Sequence, residues 1–149
     1  MDPGILVPFI IAGAILFFAT IWSLIILLIA KLGGWRKVAA AKPFNEMNAG
    51  ALVESARRNS VTFGFTTSYS GVITVSVFEN GVRLRPALLF RPFHPPIFLE
   101  RDDLKKGKFG GNESMGFYSF NNLEGKMVTI AGKGAALMHR FAESRNAYF

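Results

Sequence analysis

The side chains that most often carry catalysis or bind metal ions are sparse in this chain. Its 149 residues include two histidines, His94 and His139, and no cysteine. Neither histidine stands in an H-x3-H or H-E-x-x-H frame, so their spacing does not predict a zinc site. The lack of cysteine excludes a thiolate nucleophile and a disulfide framework. We therefore expect no catalytic residue, no metal and no cofactor.

Two short motifs have both a chemical and a structural interpretation. Asp102-Asp103 could hold a metal ion or exchange protons, but the flanking Arg101 and Lys105-Lys106 favour a solvated turn or a helix N-cap. Gly132-Lys133-Gly134 precedes a predicted helix, whose free N–H groups attract anions. It lacks the first glycine of a P-loop and the final Ser or Thr, so a turn is the favoured interpretation.

Positive charge is the strongest chemical signal, since the formal net charge is +7. One basic group follows a long apolar segment and, with an adjacent tryptophan, is predicted to lie at a membrane interface: Lys31, Trp35, Arg36, Lys37 and Lys42. Two more groups predict a patch for anionic lipid headgroups or a partner protein, with a solvated surface as the alternative: Arg83, Arg85, Arg91, Lys105, Lys106 and Lys108. No nucleic-acid motif or aromatic platform accompanies this charge, so we expect no nucleic acid partner.

The apolar segment runs from Ile5 to Ala30 without a charged residue. As a helix it would be about 39 Å long, more than the ~30 Å hydrocarbon core of a bilayer. We therefore predict a transmembrane helix over residues 5–32, after an N-terminal tail over residues 1–4. A cleaved signal peptide is disfavoured, because residues 1–4 carry no Lys or Arg and the apolar run is about twice too long.

The charges on either side of this segment predict its orientation. Only Asp2 precedes it, whereas the first basic group follows it. The flank with more Lys and Arg stays cytoplasmic, so we expect the N-terminus outside and the rest of the chain in the cytoplasm. The membrane boundary is predicted near residues 31–36, where the indole of Trp35 would suit the headgroup layer.

Four small residues lie on one face of the predicted helix: Ala12, Ala19, Ser23 and Ala30. At about 100° per residue, their spacing puts all four within about 40° of one line. Small side chains let a second helix approach closely. The stripe predicts a contact face for a membrane-protein partner, and chance alignment is the equally weighted alternative.

Residues 33–59 predict an amphipathic connector between the membrane helix and a folded domain. Gly33-Gly34 breaks the helix, a short interfacial helix follows, and Ala51 to Arg57 predict one or two further helical turns.

Residues 60–145 predict a β-rich domain with six or seven strands. Asn80-Gly81 predicts a tight hairpin turn, and Ala87 to Phe90 are expected to continue the strand that follows it. Gly107 to Glu113 predict a mobile connection. Ala135 to Glu143 predict a C-terminal helix with one apolar face, before a tail over residues 146–149.

This layout resembles the pleckstrin-homology-like (PH-like) fold, in which a C-terminal helix closes one end of a bent sheet. The resemblance covers residues 60–143 and depends on Asn80 to Leu84, Pro95 to Glu100 and Asp102 to Leu104. Gly34 to Ala39, directly after a span, are similar to uncharacterised bacterial membrane proteins with one helix and one such domain. The resemblance implies an α+β chain: an N-terminal transmembrane helix plus a small antiparallel sheet or partly open barrel closed by a helix. It also implies binding of lipid, peptide or protein rather than catalysis.

These features predict a non-enzymatic, single-span protein of the bacterial inner membrane with a cytoplasmic, protein-binding β domain. The leading hypothesis is an accessory or scaffolding subunit of a larger membrane complex. The second is a membrane-surface module that binds anionic lipid. The third is a membrane-bound hydrolase, which stays open because a Ser–His–Asp triad assembles in space, although no G-x-S-x-G motif supports one.

Overall fold

The computed structural model describes residues 2–64, 67–121 and 125–144, and begins with one long helix. This helix, α1 (Pro3–Leu32), is the only one in those ranges that is long and apolar enough to cross a membrane. Gly34 takes a φ of 79°, a left-handed conformation that glycine adopts without strain, and so ends the helical run. Two short helices follow, α2 (Trp35–Ala41) and α3 (Glu46–Ala49). The predicted helix and its break at Gly33-Gly34 are confirmed.

A seven-stranded antiparallel sheet forms the body of the domain. Its strands are β1 (Leu52–Phe63), β2 (Thr67–Phe78), β3 (Gly81–Pro86), β4 (Ile97–Glu100), β5 (Lys108–Gly111), β6 (Gly116–Asn121) and β7 (Met127–Gly132). Their order is β4-β3-β2-β1-β7-β6-β5, so the sheet is open, with β4 and β5 at its two edges.

A C-terminal helix covers the inner face of the sheet. This helix, α5 (Lys133–Glu143), buries the predicted apolar stripe of Leu137, Met138 and Phe141. These side chains join the inward-facing residues of the strands in one core, because alternate strand residues point to the same face. The fold class predicted from the sequence is confirmed.

Three boundaries differ from the predictions. Residues 52–57 belong to β1 and pair with β2, so the helical turns predicted over Ala51 to Arg57 are wrong and the connector ends earlier than residue 59. Leu88–Phe90 form a 3-10 turn outside the sheet, so the strand does not continue beyond Pro86. Gly107 to Glu113 contain β5, which gains order by pairing with β6 along the sheet edge. The tail over residues 146–149 lies outside the described residues.

The C-terminal end of α1 is part of the domain rather than a separate anchor. Ile26 and Ala30 are fully buried, and Ile29 packs against the main core. A Cβ atom on Gly33 would lie 2.7 Å from Thr67 Cγ2 and 3.0 Å from Tyr69 Oη, so only glycine lets the chain pass this close to β2. The last two turns of α1 are therefore fixed to the sheet.

Candidate functional site

Trp35 connects the long helix to the loop between β3 and β4. Its indole is fully buried, and Nε1 donates a hydrogen bond of 2.8 Å to the carbonyl of Pro95. The ring packs edge-on against Phe63, Tyr69 and His94. The prediction that Trp35 anchors the chain among lipid headgroups is wrong, because a fully buried indole contacts neither water nor lipid.

His94 lies beside Trp35 and is only 1% exposed. Its Nε2 is 3.1 Å from the hydroxyl of Tyr69. Burial raises the pKa of Tyr69 to about 12, so the hydroxyl keeps its hydrogen at neutral pH. The described residues offer that hydrogen no other acceptor, so we infer that Tyr69 donates to Nε2.

The tautomer of His94 follows from that bond. Burial lowers the pKa of His94 below its usual 6.5, and the neighbouring carbonyl of Phe90 opposes this shift only in part. A neutral ring that accepts at Nε2 carries its hydrogen on Nδ1. Nδ1 is buried and has no hydrogen-bond partner of ordinary geometry among the described residues. The carbonyl of Phe90 is therefore the acceptor that neighbours this hydrogen, outside ordinary hydrogen-bond geometry.

The loop that carries His94 also contacts α1 well inside its apolar segment. The ring centroids of Trp22 and Phe90 are 5.8 Å apart, and Trp22 Nε1 donates a hydrogen bond of 3.3 Å to the carbonyl of Leu89. Leu88 and Leu89 remain 71% and 67% exposed. The 3-10 turn thus extends the apolar surface of α1 sideways, at a level about ten residues before the helix ends.

Three arginines and His94 line a cavity next to this turn. Its volume is about 290 Å³, and its walls are formed by Phe44, Glu46, Arg83, Arg85, Arg91, His94, Pro95 and Pro96. Arg83 and Arg85 alternate with the core residues Val82 and Leu84, so they lie on the outer face of β3. The structure therefore brings together the arginines of the predicted lipid or partner patch. Their binding role remains a prediction.

Arg83 is held in place by rings rather than by a carboxylate. Its guanidinium lies 4.9 Å from the centroid of the Phe44 ring and 5.1 Å from that of Phe78. Burial and the positive charge of Arg85 lower the pKa of Arg83, with a further contribution from Arg91, while Glu46 opposes the shift. Nε of Arg83 is buried without a hydrogen-bond partner among the described residues.

The lysines of the predicted patch lie elsewhere. Lys106 lines a second cavity, of about 450 Å³, with Lys37 and Lys42 of the connector. Lys42 forms an ion pair of 2.9 Å with Asp103 there, and Lys105 pairs with Asp102. Lys108 lies on β5, at the sheet edge opposite to β4. Lys31 and Arg36 are exposed near the end of α1.

The remaining motifs adopt the structural interpretation that the sequence favoured. At the start of α5, the backbone N–H of Gly134 donates to Asn59 Oδ1 at 2.7 Å, so a protein side chain occupies the predicted anion position. Asp103 accepts a hydrogen bond from the Glu100 N–H and caps a short helix, α4 (Arg101–Leu104). No cluster of three His, Asp or Glu able to hold a metal is present in the described ranges.

The stripe of small residues on α1 is divided. Ala12, Ala19 and Ser23 are exposed, whereas Ala30 is fully buried within this chain. Ala30 is therefore not available to a second helix, and the predicted contact face shortens to the first three residues.

Two contributors to this region were not predicted from the sequence. Nothing in the sequence around Trp22 indicated a contact with the domain, because the whole segment is apolar. Leu88-Leu89-Phe90 was predicted to be part of a strand. The prolines on both sides, Pro86 and Pro92, could have indicated an exposed apolar turn, because proline cannot donate to a strand ladder.

Comparison with known proteins gives a fold neighbour. No protein-family model and no curated protein matches the chain. Among solved structures, the Vps36 N-terminal PH domain is similar over 65% of this chain and 82% of that one, with a TM-score of 0.46 and 10% sequence identity.

Proposed function

We propose that this chain is a non-enzymatic, single-span membrane protein whose β domain works as a binding module on the membrane surface. The observation that supports this best is the pair of exposed leucines, Leu88 and Leu89, beside Trp22 of the apolar helix. Exposed apolar residues that continue the surface of a membrane-spanning helix are suited to lipid contact. The domain would then be fixed against the bilayer.

The length of α1 agrees with this position. A hydrocarbon core of ~30 Å takes about 20 helical residues, which from Ile5 extend to about Leu24. Trp22 then lies near the boundary, where an indole is favoured, and Ile26 and Ala30 lie above it within the domain. We therefore propose a boundary near Trp22 instead of residues 31–36. The charge difference between the two ends favours a domain on the cytoplasmic side of a bacterial inner membrane.

A measurement of how deeply the 3-10 turn lies in a bilayer tests this proposal. The chain has no cysteine, so a single nitroxide label can be attached through Leu89→Cys in the full chain, reconstituted in phosphatidylcholine nanodiscs. We expect the label to collide readily with oxygen and poorly with a water-soluble nickel reagent. Met47→Cys is the control, because Met47 is 90% exposed on α3. A label at Leu89 that is as accessible to nickel as the label at Met47 would contradict the proposal.

A second candidate function is that of an accessory subunit in a larger membrane complex. Ala12, Ala19 and Ser23 support it, since they leave one exposed stripe of small side chains on α1. Replacing Ala19 and Ser23 with Leu should release a partner that co-purifies in mild detergent. Leucine substitution of the large exposed residue Phe17 is the matched control. A wild-type chain that purifies alone, as a monomer, would count against this function.

A further inference from the structure

The cavity beside the 3-10 turn contains a buried hydrogen-bond donor without an acceptor. Nε of Arg83, a residue of the cavity wall, is buried and unpartnered in the described part of the chain. Leaving a charged donor buried and unpaired is unfavourable. This donor indicates that a ligand with acceptor atoms completes the cavity.

The charge of the cavity defines the ligand further. None of the guanidinium groups of Arg83, Arg85 and Arg91 forms an ion pair with another described residue. Glu46 is the one carboxylate on the cavity wall. With His94 neutral, three positive groups and one negative group leave an excess of two positive charges. An anion that only accepts hydrogen bonds and carries nearly two negative charges matches this wall, as a phosphate monoester does at neutral pH.

The position of the cavity indicates where that phosphate comes from. Arg85 and Arg91 stand on either side of the exposed turn Leu88–Phe90, and Arg91 Nε is fixed by a bond of 3.3 Å to the Pro86 carbonyl. If the turn enters the interfacial layer, the two arginines lie at the depth of lipid phosphates. A volume of about 290 Å³ is at the small end of the ~300–1,000 Å³ of ligand pockets, which suits a headgroup rather than a whole lipid.

We propose that this cavity binds the phosphomonoester headgroup of a membrane lipid through Arg83, Arg85, Arg91 and His94. This inference deepens the proposed membrane-surface function and rests on it. The site lies on the outer face of β3, between the connector and the β3–β4 loop, and not among the core residues that face α5. Its ligand would neutralise the arginines and accept a hydrogen bond from Nε of Arg83.

Binding is tested on the full chain in a neutral detergent, because Trp35 and Ala39 belong to the core and a fragment lacking them would not represent the domain. Dioctanoyl phosphatidic acid, dioctanoyl phosphatidylglycerol and inorganic phosphate are titrated separately. Native mass spectrometry gives the stoichiometry, and the ¹⁵N shifts of the His94 ring report on the cavity. We expect saturable one-to-one binding of phosphatidic acid, a change in the ring shifts of His94, and weaker binding of the phosphodiester and of inorganic phosphate.

Two double variants distinguish binding at this cavity from non-specific attraction of the lipid to the positive charge of the protein. Arg85→Gln with Arg91→Gln removes two charges from the cavity, and we expect affinity for phosphatidic acid to fall by about tenfold or more, as the loss of charged hydrogen bonds implies. Lys106→Gln with Lys108→Gln removes two charges elsewhere and should change affinity by less than about twofold. Equal losses in both variants would overturn the site.

Two other results would overturn the proposed ligand. Binding of inorganic phosphate without phosphatidic acid would make the ligand a soluble phosphate, and equal affinity for the phosphodiester would remove the selectivity. These failures are distinct from failure of the membrane-surface function, because the depth of the Leu89 label is measured in phosphatidylcholine, which contains no phosphomonoester.

Discussion

Trp35 donates a hydrogen bond of 2.8 Å to the carbonyl of Pro95, across the space between the long helix and the β3–β4 loop. This bond and the ring contacts around it fix the arginine-lined cavity relative to the helix. The position of the cavity with respect to a membrane therefore depends on Trp35, the buried residue that begins α2, together with the contacts of Trp22 on the same loop.

Replacing this side chain should destabilise the domain strongly. We expect Trp35→Ala to lower the free energy of unfolding by about 3–5 kcal/mol, because it leaves a large core cavity and an unpaired Pro95 carbonyl. Trp35→Phe should cost less, since a ring remains. Arg36→Ala is the control. Arg36 is exposed, so its substitution should change the free energy of unfolding by less than about 0.5 kcal/mol. Denaturant unfolding in micelles measures these differences, and a similar cost for Trp35→Ala and Arg36→Ala would show that Trp35 is not a core residue.

Asn59 should stabilise the start of α5. It is fully buried, its Oδ1 accepts from the Gly134 N–H at 2.7 Å, and its Nδ2 donates to the Ala56 carbonyl at 2.7 Å. Asn59→Ala leaves these groups unpaired, so we expect a loss of about 1–3 kcal/mol. Amide hydrogen exchange should accelerate first in the first turn of α5. In the exposed control Asn112→Ala, exchange in α5 should stay at the wild-type rate, and the same acceleration in both variants would contradict this role.

Local signals explain which parts of the fold could be predicted. The β2–β3 hairpin at Asn80-Gly81 and the apolar stripe of α5 depend on neighbouring residues alone, and both are confirmed. The positive φ angles expected of an Asn-Gly turn are absent from Asn80 and Gly81. The start of β1 was missed because bulges shift its register near Arg58, which takes a φ of 60°, and this breaks the alternation that identifies a strand.

The candidate site was only partly predictable for a different reason. Strand alternation placed Arg83 and Arg85 on one face of β3. Arg91 joins them for a reason that alternation does not give, because the chain leaves the sheet after Pro86 and returns through the 3-10 turn. The contribution of His94 could not be predicted, because its burial depends on Trp35 and Tyr69, which lie far away in sequence. A tryptophan next to an apolar segment is equally compatible with a membrane interface and with a core. Only the packing distinguishes these positions.

The buried His94 should make stability depend on pH. Its pKa is lowered in the folded state by burial, so below about 6.5 the unfolded chain binds a proton that the folded chain does not. The contribution of His94 to the free energy of unfolding is therefore fully present above that pH. It is lost as the pH decreases toward the lower, folded-state pKa. The carbonyl of Phe90 favours the charged ring and opposes the shift in pKa only in part.

This dependence is measured as the free energy of unfolding between pH 7.5 and 5, in phosphate-free neutral detergent. We expect His94→Gln to flatten the decline below pH 6.5. A decline that survives His94→Gln in full would assign the effect to other groups.

Substitution of Gly33 and of Gly34 should be destabilising for different reasons, and this difference tests how α1 is fixed to the sheet. Gly33 has an ordinary φ of −74°, but a Cβ would lie 2.7 Å from both the Ile29 carbonyl oxygen and Thr67 Cγ2. Gly34 has open space around it and a φ of 79°. Alanine should destabilise both positions. We expect a cost of about 1–3 kcal/mol at Gly33, where the Cβ clashes with its neighbours, and of about 1–2 kcal/mol at Gly34, where the backbone is left-handed.

Asparagine separates the two causes. It adopts the left-handed conformation more readily than alanine, so Gly34→Asn should recover part of the stability lost in Gly34→Ala. Gly33→Asn adds bulk at the contact with β2 and should be less stable than Gly33→Ala. Thermal unfolding of the four variants in micelles measures this order. If Gly33→Asn were as stable as the wild type, the end of α1 would not pack closely on β2, and the cavity would not be held at a fixed height above the membrane helix.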